Sequence, residues 1–192
     1  MPATTCRLLP LSFAFLGIAC SSATGPVFEP QPYPREAARA HVRDIAFRDA
    51  RTGTTEGNFD TPIISLPGQG ERAQFRVAAT TFEEMKRRLG KLVSGGTRQI
   101  AVTIAIVEGE GGWSSSWWSE TAFASVKLEV TFSEAATGRE LLTAFGEAWG
   151  RKSSMDVADS ESNELFQSAA LAAFDRAVAN QQVLKRLSMS PD

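Results

Sequence analysis

Histidine and cysteine are nearly absent from this chain, with one His and two Cys in 192 residues. A histidine-rich metal centre or a four-cysteine zinc site therefore cannot be assembled. A dominant charge is also missing. Lys and Arg number 20, Asp and Glu 22, and the formal net charge is −2. That balance removes the electrostatic case for nucleic-acid binding, which draws on a basic patch and a high pI. No apolar run reaches the ~20 residues that a transmembrane helix needs. The longest candidate, 8–19, is 12 residues. Hydrophobic residues make up 43% and charged residues 22%, as in an ordinary globular chain, so long disorder and a collagen-like repeat are excluded. The length fits one folded domain.

The apolar run has the dimensions of a signal-peptide core, about 7–15 residues, and it follows the single positive charge of Arg7. Leu16-Gly17-Ile18-Ala19 leads into Cys20. This resembles the lipobox of bacterial lipoproteins, with Gly17 where leucine is usual and Leu16 one place further back. The resemblance implies cleavage before Cys20 and acylation of its thiol and new amino group. Several acyl chains anchor a protein stably where one would be marginal. The alternative is an ordinary signal peptide with a chance cysteine. Ser21 at the second mature position implies, by the same analogy, sorting to the outer membrane with the domain facing the periplasm. Cys6 would leave with the leader, so the mature chain would hold no free thiol for catalysis or disulfides.

The expected organisation is therefore a signal peptide over 1–19, an acylated cysteine and Pro-rich tether over 20–38, and one domain over 39–188. The tether carries Pro26, Pro30, Pro32 and Pro34 without periodicity.

Within the domain, 42–48 reads as a first strand and 49–60 as a polar loop. Short strands follow near 62–66 and 74–77. Helix 80–92 carries Phe82, Met85, Leu89 and Leu92 on one face. Thr81 and Glu84 have capping-box spacing, and Gly95-Gly96 ends the helix. Strict alternation marks strands at 99–106 and 121–132, and Thr137-Gly138 turns into a third at 139–151. A long helix over 160–187 opens on Asp159-Ser160 and carries Phe166, Ala170, Ala173, Phe174, Ala177 and Leu184 as a stripe. Ala144, Gly146 and Ala148 in the third strand would let it approach closely. The pattern predicts an α+β two-layer sandwich: a mostly antiparallel sheet with two helices packed on one face.

The alternating strand ending at Phe132, the Thr137-Gly138 turn and the return strand through Leu142 carry a further resemblance. With the lipobox and the tether, this layout looks like small envelope lipoproteins: the YajG-like and lipopolysaccharide-assembly lipoproteins, and the TolB-N-terminal-like or curli-secretion-like domains. The resemblance covers 40–187 in layout and implies a non-catalytic assembly, trafficking or scaffold factor.

Sites of chemistry are scarce. His41 stands at the entry of the first strand, and no G-x-S-x-G motif supplies it with a nucleophile. Gly68 and Gly70, and the Gly109–Gly112 stretch, lack the Lys-Ser/Thr of a phosphate loop and read as loop glycines. Glu108, Glu110, Asp156, Asp159 and Glu161 match no calcium loop. Neither catalysis, a metal nor a cofactor is expected. The one concentration is aromatic. Trp113, Trp117 and Trp118 fall within 111–120, read as the connection between the first two long strands. Phe123, Leu141, Phe145 and Trp149 fall on the phase opposite the core and would extend an apolar patch over the sheet face away from the helices. These residues are the expected contact for an envelope protein partner or, alternatively, for an apolar ligand such as a lipid. The competing expectations are that the Trp rings fold back over the core and that the 50–78 segment covers the face.

Overall fold

The computed structural model describes residues 38–51, 63–65, 71–115, 120–154 and 159–189. Its frame is a meander of three long antiparallel strands: β4 (Gln99–Ser115), β5 (Glu120–Glu134) and β6 (Glu140–Ser154). The alternation is realised in burial. Ile100, Val102, Ile104 and Ile106 of β4 and Val126, Leu128, Val130 and Phe132 of β5 are at most 1% exposed. β-branched side chains suit a half-buried pleated surface. Gly138 closes the β5–β6 turn at φ 72, and its N–H donates to the Glu134 carbonyl.

β4 is longer than its alternating segment. A bulge between Ile106 and Glu108 reverses the phase, and the strand continues to Ser115 opposite β5. The region expected to be a loop is thus mostly a hairpin stem. Gly109 and Gly111 lie inside a strand, which corrects their reading as loop glycines. At Gly111 a neighbour fills the side-chain space. A Cβ on Gly111 would stand 2.7 Å from the Phe75 ring.

The outer edge of β4 is shared. β1 (His41–Asp49) pairs with its first half in parallel, and β3 (Glu71–Gln74) with residues 111–113 antiparallel. β2 (Ile63–Ser65) pairs with β3. The path is β2-β3-β4-β5-β6 with β1 off it on β4. The strand expected at 74–77 lies three residues earlier. Phe75 and Val77 are buried in the coil that leads into the first helix.

Three helices cover one face: α1 (Ala79–Leu92), α2 (Asp159–Val178) and α3 (Gln181–Ser188). α1 buries Met85, Leu89 and Leu92, while Phe82 is partly buried, its ring 5.1 Å from that of Phe47. The capping box does not form. The N-cap is Ala78, and Thr81 is buried within the first turn. Glu84 turns forward to Arg87 and Arg88. Gln167 of α2 takes over the helix start: its Oε1 accepts from the Ala78 N–H at 2.9 Å, and its Nε2 donates to the Arg76 carbonyl at 2.8 Å.

α2 lies across β5 and β6 with Phe166, Ala169, Ala170, Ala173 and Phe174 fully buried. Each buried phenylalanine stabilises the fold by about 2–3 kcal/mol. The stripe of alanines meets Ala144, Gly146 and Ala148, as the close-approach reading requires. The expected continuous helix over 160–187 is broken at Ala179-Asn180, where Asn180 Oδ1 accepts from the Gln182 N–H and starts α3. The fold is the expected α+β two-layer sandwich, with the second helix split in two and one parallel strand pair. Among the described residues no helix is long and apolar enough to cross a membrane.

Candidate functional site

The sheet face away from the helices carries the exposed aromatics. Phe145 is 59% and Trp149 57% exposed. Cross-strand pairing fixes their neighbours: Phe145 lies opposite Glu129, Trp149 opposite Ser125, and Arg151 opposite Phe123. Between the aromatics runs a charged row, Glu108–Lys127–Glu147. Lys127 Nζ donates to Glu108 at 2.8 Å. That hydrogen bond, and then the carboxylate's charge, hold the ammonium above its ordinary pKa. The face is therefore two aromatics in β6, parted by Glu147, with Phe123 half-buried one strand in.

Leu141 does not extend this patch. It falls at the bulge between Glu140 and Leu142 and packs partly buried against the core. Trp113 does not join it either, which corrects its place in a connecting loop. It is a strand residue opposite Ala122. Ala122 is fully buried on the helix side, and directly opposed residues share a face. The β4 bulge is the cause, because it moves every later residue to the other face. Trp117 and Trp118 lie outside the described residues, as do Cys20, most of 50–78 and the expected tether up to residue 37. The last residue of that tether, Ala38, is instead buried in the domain and bridged to Val93.

The second feature of this region is a backbone edge. β6 ends the sheet, so its outer side pairs with no strand among the described residues. The hydrogen bonding shows which residues face outward. The Ala135 N–H donates to the Gln99 carbonyl, so odd-numbered residues of β5 point their backbone groups at β4 and even-numbered ones at β6. Val126 and Leu128 lie opposite Ala148 and Gly146. The odd-numbered residues Phe145, Glu147, Trp149 and Arg151 therefore present their N–H and C=O groups to the free edge. Arg176 of α2 exploits this by donating to the Glu147 carbonyl. α3 flanks only the start of the edge, where Leu142–Phe145 and Asn180, Gln182, Val183 and Arg186 line a cavity of about 210 Å³.

One cluster lies in a segment read as polar loop. Arg51 is 7% exposed. It pairs with Asp49 at 2.6 Å and donates to the carbonyls of Gly109 and Phe75 at 3.2 and 2.9 Å. Its guanidinium lies 5.7 Å from the centre of the Phe166 ring. Arg51 thus fills the gap between β1 and β3 along β4, satisfying carbonyls that no strand reaches. Its role is structural. The expected boundary histidine, His41, is exposed at the first position of β1. Glu108 and Glu161 pair with Lys127 and Lys152, and the described residues contain no cluster of three potential metal ligands.

No family model matches the chain, and no curated protein matches it. Among solved structures it is similar to protein XCC0632 from Xanthomonas campestris, of family DUF330. The TM-score is 0.51 and the identity 13%, over 82% of this chain and 90% of that one. A neuraminyllactose-binding hemagglutinin homolog from Helicobacter pylori aligns at TM-score 0.35 and 8% identity, over 84% of this chain and 97% of that one, and carries no argument. At 13% identity the first likeness speaks for the fold alone.

Proposed function

We propose that this protein is a lipoprotein of the bacterial cell envelope. In this reading Cys20 anchors it to the outer membrane, and the domain binds another envelope component without catalysis. The observation that carries the binding half is the pair Phe145 and Trp149, exposed on an open sheet face at the end of the sheet. Two large aromatics left in water on a rigid strand are characteristic of a contact surface. The anchor half rests on the N-terminal sequence. YajG-like and related envelope lipoproteins remain the family reading it suggests.

The lipid-carrier alternative is weaker on size and polarity. The cavity beside α3 is smaller than the 300–1,000 Å³ typical of ligand pockets. A second, of about 390 Å³ between β1 and α1, is lined by Arg43, Asp44 and Lys86 as well as Val42 and Ile45. Native mass spectrometry of the purified protein separates the two readings, because a co-purifying lipid would favour the carrier.

Two substitutions test the proposal. Cys20→Ser should move the protein from the membrane to the soluble fraction; unchanged retention would remove the anchor. Phe145→Ser with Trp149→Ser should abolish co-purification of an envelope partner while the melting temperature holds. Undiminished recovery of that partner would place the contact elsewhere.

A further inference from the structure

We infer that the free edge of β6 is a homodimer interface, in which β6 pairs antiparallel with β6 of a second copy about a two-fold axis at Trp149. This goes beyond the proposed function and depends on neither the anchor nor the envelope partner.

The edge itself is the first argument. β6 runs 15 residues, contains no proline, and has its only bulge near the start. Natural sheets blunt such edges with proline, bulges, inward charges or covering elements, because an open strand recruits another. Here α3 flanks Leu142–Phe145 and Arg176 reaches the Glu147 carbonyl, so the edge from Glu147 to Ser153 pairs with no strand among the described residues.

The side chains choose the occupant. Antiparallel self-pairing places residue i opposite residue j of the partner with a fixed sum of i and j, so each register gives one set of pairs. Centring on Glu147 opposes two carboxylates, and centring on Arg151 opposes two guanidiniums. Centring on Trp149 sets Glu147 opposite the partner's Arg151, Arg151 opposite the partner's Glu147, and the two Trp149 rings opposite each other. It is the one register that joins both opposite charges. Neither the Glu147 carboxylate nor the Arg151 guanidinium forms a hydrogen bond or a close ion pair among the described residues. Glu147 faces Lys127 across the strand pair, but Lys127 gives its hydrogen bond to Glu108. Glu147 and Arg151 are both exposed. On the helix side, Ala148 meets the partner's Gly150, two small residues. The Arg176 bond to the Glu147 carbonyl does not compete, because a carbonyl has two acceptor lone pairs. A strand-pair two-fold perpendicular to the sheet keeps both helix layers on one side. Phe145, Trp149 and their partner copies then form one aromatic row on the other.

Charge reversal and cross-linking in the full-length protein, purified in detergent, test this. Sedimentation should show a dimer. Glu147→Arg and Arg151→Glu should each weaken it about tenfold or more, since each sets like charges opposite one another twice. The combined reversal should restore it, because each exchanged charge then faces its opposite on the other copy again. In a background with Cys6→Ser and Cys20→Ser, Trp149→Cys should form an intermolecular disulfide on oxidation, with the two Cα atoms about 5.5 Å apart in a hydrogen-bonded pair, where the same background without Trp149→Cys has no thiol to form one. Arg151 and Trp149 are exposed and lie opposite Phe123 and Ser125, so their variants should keep the parent melting temperature. Glu147→Arg, which faces Lys127, should lower it only by the small cost of one exposed like-charge pair, and this separates lost pairing from lost folding. A monomer at every concentration would overturn the inference, as would single reversals without effect or a double reversal that fails to restore the dimer. A dimer that Trp149→Cys links neither by oxidation nor with a short bis-thiol-reactive cross-linker, which spans the wider Cβ spacing of a hydrogen-bonded pair, would overturn the register. None of these outcomes bears on membrane retention of the Cys20→Ser variant.

Discussion

Gly146 of β6 lies directly beneath Ala173 of α2: a Cβ on the glycine would overlap the Ala173 carbonyl oxygen and stand 2.7 Å from the Ala177 nitrogen. The obstacles are helix backbone, which cannot rotate aside. Gly146→Ala must therefore lift α2 from the sheet, at a cost near the top of the 1–3 kcal/mol range for overpacking, about 3 kcal/mol. Urea denaturation measures it. A loss below about 0.5 kcal/mol, the scale of an inert surface change, would mean the helix rides higher.

Arg51 should be among the most sensitive charged residues described. Arg51→Met removes the partner of Asp49 and strands the carbonyls of Gly109 and Phe75 in a nearly dry gap. Leaving a buried partner uncompensated costs about 3–5 kcal/mol. Because the Asp49 side chain keeps 15% exposure, about 3 kcal/mol is expected. Adding Asp49→Asn to Arg51→Met should then cost less than the two single losses summed, since the pair acts as a unit. Strict additivity in a double-mutant cycle would show that the two residues are not coupled.

Much of this fold was legible because alternation and helical spacing are local signals. β5 reads correctly from Thr121 to Phe132, and the small residues of β6 foretell the close helix. The misplacement of Trp113 has an equally local cause. One extra residue near Val107 flips the face of everything after it, and the glycines at 109, 111 and 112 carry no hydropathy with which to show it. The break at Ala179-Asn180 was readable in principle, since asparagine is a favoured N-cap and Gln181-Gln182 follows it. The uninterrupted apolar stripe on either side concealed it. Arg51 and the free edge of β6 belong to a different class. Nothing in a polar stretch announces that it returns to fill a gap in the sheet. Nor does a strand's own sequence tell whether a neighbour lies beyond it. Both depend on tertiary order. The same limit applies to the aromatic face, where the residues were identifiable but their interruption by the Glu108–Lys127–Glu147 row emerges only once the strands are in register.

The α2–α3 break should behave as a capped helix start. Asn180 Oδ1 accepts from the Gln182 N–H at 2.9 Å, and α3 buries Val183, Leu184 and Leu187 against the core. Asn180→Ala should cost about 1 kcal/mol, while Asn180→Asp, which keeps the acceptor, should be close to neutral. Equal losses in both variants, measured by thermal unfolding, would assign the effect to something other than the cap.

The acid side of the stability profile should carry the signature of Glu84. Hydrogen bonds from Arg87, then Arg88, lower its pKa from 4.5 to about 2. Arg88 is also ion-paired with the buried Asp175 of α2, so Glu84 helps to hold the guanidinium that joins the two helices. A folded-state pKa below the unfolded one means stabilisation that is fully present above about pH 4.5 and lost as the pH falls toward 2. The Glu84 side chain is 27% exposed, so screening reduces the effect to roughly 1 kcal/mol at neutral pH. Glu84→Gln should therefore be less stable than the parent by about that amount at neutral pH and low salt. The difference should close as both proteins are taken down to about pH 2. If the two denaturation curves stayed parallel across that window, the stabilisation would come from the shape and hydrogen bonding of the side chain, and its charge would play no part.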